Sequence, residues 1–147
     1  MALFEAKDLV IRTSTLDDED RGTIQVISFT GTHTHHWPPG ASVQDFFETE
    51  IRKARPAACL FDFLGYEYTF GNEIGGPIMA PLLYGGPPCP PIAIVAQGLT
   101  ARSLMGLIRA GNLDKIAGFG FFEDAESGLG FLRGALDKRK TSPGPMS

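Results

Sequence analysis

Two short runs of nearly unbroken apolar residues constrain this chain more than any other feature. Ala58-Cys59-Leu60-Phe61-Asp62-Phe63-Leu64 and Pro91-Ile92-Ala93-Ile94-Val95-Ala96 are each the length of one strand and lack the alternation of a strand with one wet face. A strand that is oily on both faces must be covered on both, as in a parallel sheet with helices packed against it. Parallel neighbours cannot be joined by a tight turn, so the segment between them has to supply a crossover element. That segment is awkward, because residues 71–81 carry Pro77 and Pro81 together with Gly71, Gly75 and Gly76. Pro81 removes the donor that would reach residue 77 and crowds its carbonyl, so a short, bent or partly irregular helix is predicted. A non-regular connection, Gly85-Gly86-Pro87-Pro88-Cys89-Pro90-Pro91, follows it.

The remaining elements fit around these two strands. Residues 4–14 and 23–29 read as two strands of a β-hairpin, joined by the acidic, turn-rich tip Leu16-Asp17-Asp18-Glu19-Asp20-Arg21-Gly22. Ser42-Val43-Gln44-Asp45 has the look of a helix start, and Val43, Phe46, Phe47, Ile51 and Ala54 recur at helical spacing until Arg55-Pro56 ends the pattern. Thr100 is expected to cap a further helix with Leu104, Leu107 and Ile108 on its inner side, closed by a left-handed residue at Gly111-Asn112. Residues 115–122 give a last short strand interrupted by Gly118 and Gly120. Glu123-Asp124 then opens a final helix, where the macrodipole favours negative charge, with Ala125, Leu129, Leu132 and Leu136 facing inward. The expected fold class is therefore α/β: a mixed, mostly parallel β-sheet of about five strands with about four helices packed on it.

A length of 147 residues allows one core of ordinary size, so residues 1–140 are expected to form a single domain and 141–147 a flexible C-terminal tail. With 43% hydrophobic and 20% charged residues the composition excludes wholesale disorder, and a net charge of -4 argues against a nucleic-acid partner, whose phosphates call for clustered cations. No run reaches the length needed to cross a bilayer, and the first residues lack the basic flank and apolar stretch of a secretory signal. The two cysteines, Cys59 in an apolar strand and Cys89 between prolines, have neither zinc nor redox-pair spacing. A cytoplasmic protein with free thiols and no membrane association is the expectation.

This order of elements resembles the STAS domain family, the fold of bacterial anti-sigma-factor antagonists and of the cytoplasmic domains of sulfate transporters. The resemblance is carried by Leu60-Phe61-Asp62-Phe63-Leu64-Gly65-Tyr66-Glu67-Tyr68-Thr69, similar to the family's third strand and the approach to its second helix. It continues in Ile92-Ala93-Ile94-Val95, Leu104, Leu107, Ile108 and Phe121-Phe122-Glu123-Asp124-Ala125. The resemblance implies a regulatory protein-interaction module that a partner kinase would phosphorylate on a Ser or Thr within an Asp-Ser-Ser-Gly type motif. Aligned on Tyr68, this chain has Phe70-Gly71-Asn72-Glu73, with Asn72 at the acceptor position and no hydroxyl there. Thr69 is the nearest hydroxyl and reads as a β-branched strand residue. Independently of the family, Asn72 suits a helix cap, and Glu73 would place a fixed negative charge at the positive end of the helix dipole.

Thr32-His33-Thr34-His35-His36-Trp37-Pro38-Pro39-Gly40 is the stretch with the most reactive potential. In an extended backbone His33 and His35 point to one side, so both imidazoles can reach one divalent metal, with Glu73 or Asp45 as a third ligand. Two histidines do not make a tight site, and no further histidine follows, so the principal reading has no cofactor. No nucleophile elbow, Walker lysine or dinucleotide fingerprint is present. Trp37 beside prolines reads as an interface anchor, and Tyr66, Tyr68 and Phe70 as an exposed apolar patch next to it.

The sequence therefore favours a non-enzymatic, STAS-like regulatory or scaffolding module. Its interaction surface is Trp37, Tyr66, Tyr68, Phe70, Asn72 and Glu73, its partner a protein, and self-association as a homodimer is compatible with it. The alternative is a small metal-dependent or ligand-binding enzyme built on His33 and His35.

Overall fold

A computed structural model describes residues 2–6, 8–32, 40–68, 75–85, 89–112, 115 and 118–141. Six strands form one sheet in sequence order: β1 (Ala2–Ala6), β2 (Leu9–Asp17), β3 (Thr23–Thr32), β4 (Ala58–Glu67), β5 (Ile92–Val95) and β6 (Phe119–Phe122). The first three strands are antiparallel to one another, and β3 to β6 are parallel. Four helices complete the fold: α1 (Gly40–Ala54), α2 (Gly75–Tyr84), α3 (Gly98–Ala110) and α4 (Ala125–Thr141).

The mixed, mostly parallel sheet with four helices is the predicted architecture, and the strand count rises from five to six. The additional strand comes from the first apolar stretch, which folds back on itself so that Ala6 pairs with Leu9. The reversal uses Asp8 at φ 61, a left-handed conformation that a short polar side chain tolerates and that no Gly or Pro announces.

The two apolar strands lie centrally, as their composition requires. In β5 every residue is buried, and β4 is buried from Ala58 to Phe61. Alternate residues enter two cores. On one face Phe29, Phe61, Phe63, Ile92 and Ile94 meet Val43, Phe47 and Ile51 of α1, Ile78 and Ala80 of α2, and Leu104 and Ile108 of α3. On the other face Ile24, Leu60, Ala93 and Val95 meet Leu132 and Leu136 of α4. Gly128 is what lets α4 come this close, since a Cβ there would lie 2.9 Å from Leu60 Cδ1 and 3.2 Å from Val95 Cγ2. The α4 side is only partly covered. That helix packs chiefly on β4, β5 and β6, leaving Leu3 and Leu16 exposed on β1 and β2 and Leu64 exposed near the far end of β4.

The helix boundaries show where local signals were overridden. Helix α2 has ten residues and keeps Pro81 inside it, so the crossover is short, as predicted, and continues through the proline. Helix α1 begins two residues before Ser42 and is closed by Arg55 at φ 46. At the end of α3 the left-handed residue is Asn112 at φ 58, while Gly111 has φ -90. The acidic tip between β2 and β3 contains a 3₁₀ turn, Glu19–Arg21, whose ion pairs reach α4. Arg21 Nε lies 2.9 Å from Asp137 and Arg133 Nε lies 3.1 Å from Asp18.

Asp124 holds the first turn of α4: its Oδ1 accepts the Ser127 amide at 2.7 Å. That amide and the Ser127 hydroxyl hold the Asp124 carboxyl below the usual carboxylate range. A group whose pKa is depressed by folding stabilises the fold above its unfolded value, and that contribution is lost as pH falls through the folded value. Asp124→Ala is therefore expected to be less stable than wild type at neutral pH, with the two converging under strong acid. Urea midpoints measured across the acid range check this, and a gap that persists undiminished in acid would contradict it.

Candidate interaction surface

The carboxyl ends of β3, β4, β5 and β6 lie along one end of the sheet, the usual place for ligand and partner sites in open α/β folds. Thr32, the last residue of β3, is the register partner of Glu67, the last of β4. Segments 33–39 and 69–74 therefore leave the sheet from adjacent points. His33, His35, Trp37, Phe70, Asn72 and Glu73 belong to these segments and lie outside the described residues. Asp45 is exposed on α1. Among the described residues no group of three His, Cys, Asp or Glu side chains could hold a metal ion.

Tyr66 and Tyr68, expected as an exposed patch, are instead buried at 3% and 2% exposure. The cause is a β-bulge. Ser28 pairs with Asp62 while Thr30 pairs with Gly65, so β4 carries one extra residue here. Phe61 and Phe63 point into the core; Leu64 and Gly65 are both exposed; the parity then flips, and Tyr66 and Tyr68 turn inward. The Leu64 amide donates to Asp62 Oδ1 at 2.9 Å, tying the bulge together. Tyr66 packs 5.8 Å from Phe29 and 6.3 Å from Phe63 between ring centroids. Burial pushes the Tyr68 phenol up from its ordinary value. These tyrosines form the floor beneath the surface and no part of the surface itself.

Thr100 holds that floor in place. Expected as a helix cap, it sits in the first turn of α3, whose N-cap is Gln97 in extended conformation. The Thr100 hydroxyl instead accepts the Tyr68 amide at 3.1 Å and donates to the Tyr66 carbonyl at 3.2 Å. One side chain thus completes two backbone bonds past the point where the sheet ladder stops. Thr100→Val keeps the shape and removes both bonds, for an expected loss of about 1–3 kcal/mol. Chemical denaturation checks the magnitude, and an unchanged midpoint would show the bonds to be idle.

Beside this strand end, α3 and α4 begin next to each other. Ala96 N donates to Phe122 O at 3.0 Å, and Gln97 Nε2 to Glu123 O at 2.7 Å. Between the two helix starts lies an open cleft of about 630 Å³ lined by Gln97, Arg102, Met105, Phe121, Glu123 and Ser127, among others. Leu99, in the first turn of α3, is 62% exposed. Reading motifs along the chain missed the cleft, because its residues come from three elements, α3, β6 and α4, and the two connections that lead into the helices. The available signal was positional: Gln97 lies two residues past the end of one parallel strand and Glu123 directly follows another.

Neither cysteine enters this surface. Cys59 is buried in β4, where desolvation pushes its thiol far up, and Cys89 is exposed.

No family profile and no curated protein matches the sequence. Solved structures do match its shape. An anti-sigma factor antagonist from Mycobacterium paratuberculosis superposes with a TM-score of 0.58 at 19% identity, covering 84% of this chain and 94% of that one. The fold is STAS-like. An uncharacterised protein from Shewanella loihica with a SpoIIAA-like fold agrees, with a TM-score of 0.53 at 17% identity over 88% of this chain and 98% of its own. The STAS-like resemblance first drawn from the strand around Leu60 to Tyr68 thus holds for the fold as a whole.

Proposed function

We propose that this chain is a non-enzymatic regulatory module that binds a protein partner through the end of the sheet where β3 to β6 finish. The observation that carries the reading is the Thr32–Glu67 pairing, which starts segments 33–39 and 69–74 side by side. Trp37 and Phe70 supply apolar anchors from these segments, with Leu99 exposed at the same end. Glu73 gives the surface a fixed negative charge beside Asn72, which stands where the STAS family would carry a phosphorylated hydroxyl, so contact is unswitched. Tyr66 and Tyr68 act from below, as rigid support. The fold is shared with a protein described as an anti-sigma factor antagonist, which supports a regulatory role for the same architecture here. The reading requires no cofactor and places the protein in the cytoplasm. Among the described residues no helix is long and apolar enough to cross a membrane.

The test is affinity capture from the native cell with wild type, Leu99→Glu, Glu73→Lys and Leu83→Glu. Leu83 is also exposed but lies near the far end of α2. A partner that Leu83→Glu retains and the other two variants lose supports the proposal; equal capture by all four overturns it. Phosphate on Thr69 coupled to partner release would overturn the unswitched charge. Stoichiometric metal in untagged protein, lost on His33→Ala, would replace this reading with the metal-dependent alternative.

A further inference from the structure

We propose that an open-sided cavity at the opposite end of the sheet is a binding site for a small organic ammonium ion. It has a volume of about 300 Å³ and lies between the last turns of α1 and strands β2 and β3. Its lining includes Thr13, Asp17, Gln25, Glu50 and Lys53. The site is independent of the contact face proposed above.

Gln25 is the reason to expect a ligand. It is 1% exposed, and its Nε2 donates to the Glu50 backbone carbonyl at 3.5 Å. The amide nitrogen is the end turned toward that carbonyl. The other end, Oε1, is buried with no hydrogen-bond partner among the described residues. A buried carbonyl left unpaired costs stability, and an apolar side chain of similar size would avoid the cost. Keeping a glutamine here makes sense if a donor arrives from outside the fold.

The surroundings select the kind of donor. The Glu50 carboxylate accepts the hydroxyl of buried Thr13 at 3.4 Å, and the Asp17 carboxylate accepts the Thr23 hydroxyl at 3.2 Å. Lys53 is the one cation among the lining residues, so the titratable groups facing the cavity are two carboxylates and one ammonium. The C-terminal turn of α1 adds the negative end of its dipole. A group that only donates and carries positive charge satisfies Gln25 Oε1 and the Glu50 carboxylate together. A carboxylate or phosphate would set acceptor against acceptor.

The experiment titrates the full chain, labelled with nitrogen-15, with 1,4-diaminobutane. Sodium butyrate and potassium chloride at matched ionic strength serve as controls. The expected result is a saturable shift confined to the Gln25 side-chain amide and the backbone amides of Thr13, Glu50 and Lys53, with neither control reproducing it. Glu50→Gln and Gln25→Leu should each weaken binding by about tenfold or more. Glu50→Gln is the deciding variant if Gln25→Leu does not fold. Failure to saturate, equal shifts with butyrate or potassium chloride, or unchanged affinity in folded variants overturns the proposal.

Discussion

Phe29→Ala is expected to lower the unfolding free energy by roughly 3–5 kcal/mol, as befits a fully buried aromatic ring whose removal leaves a cavity its neighbours cannot fill. Phe29 is 1% exposed and sits at the centre of an aromatic cluster. Its ring stacks on Phe63 at 4.5 Å and on Phe47 at 5.9 Å, with Phe61 at 6.4 Å and Tyr66 at 5.8 Å. The stacked and tilted geometries add to the area buried, so truncation removes several favourable pairs at once. Phe29 also lies opposite the bulge of β4, between Ser28 and Thr30, where regular ladder pairing is interrupted. Packing therefore holds this stretch where hydrogen bonds are fewer. A loss of this size is a large share of the roughly 5–15 kcal/mol that keeps an ordinary domain folded. Urea denaturation followed by tryptophan fluorescence or circular dichroism measures it, and a loss below about 1 kcal/mol would mean that the cluster is looser than the distances imply.

Gly31→Ala should be comparably damaging for a different reason. Gly31 has φ 124, a region closed to side chains, and an added Cβ would collide with the Asp8 carbonyl oxygen and lie 2.8 Å from its carbon. Both contacts are with backbone, so no rotamer change relieves them. The same carbonyl accepts the Thr32 amide at 3.0 Å, and Gly31 is the register partner of Leu9. The substitution is expected to cost about 2–4 kcal/mol and to loosen the corner that joins β1 to β2. Amide hydrogen exchange should report faster exchange in β1 than in β5. Gly106→Ala is the matched control: its position in α3 has open space around it, so it should be neutral or gain up to about 1 kcal/mol. Equal stability of the two variants would refute the steric account.

Much of this architecture was legible in the residues, and the exceptions share a cause. Strands β4 and β5 were readable because continuous apolar sequence admits few alternatives to a doubly covered strand. Helices α1 and α4 were readable because Val43, Phe47 and Ile51, and likewise Leu132 and Leu136, repeat at helical spacing and are buried as that spacing implies. The turn at Asp8 escaped because an aspartate can adopt a left-handed conformation without a glycine to signal it. Tyr66 and Tyr68 were misplaced because the apolar strand was read as ending at Leu64, whereas β4 runs on to Glu67 and a single inserted residue turns both rings inward. Thr100 was read as a cap because its true partners, Tyr66 and Tyr68, lie 34 and 32 residues away in sequence. Gln25 and Glu50 meet only through the packing of α1 on the sheet, a relation no local pattern encodes. Local rules thus located the elements, while the features that matter for binding arise from contacts between them.

The one-sided reach of α4 has a consequence for how the sequence can drift. Where the helix covers the sheet, Leu60, Ala93 and Val95 are sealed, and a polar replacement at any of them would strand a charge or dipole in a dry layer. Where it does not, Leu3 and Leu16 already touch water, and exchanging them for threonine or lysine asks little of the fold. On that face of the sheet, positions beneath the helix are therefore nearly fixed in spelling and those of β1 and β2 beyond its reach are free to vary, while the opposite face of the same strands, with Ile11, Ile27 and Phe29, stays sealed.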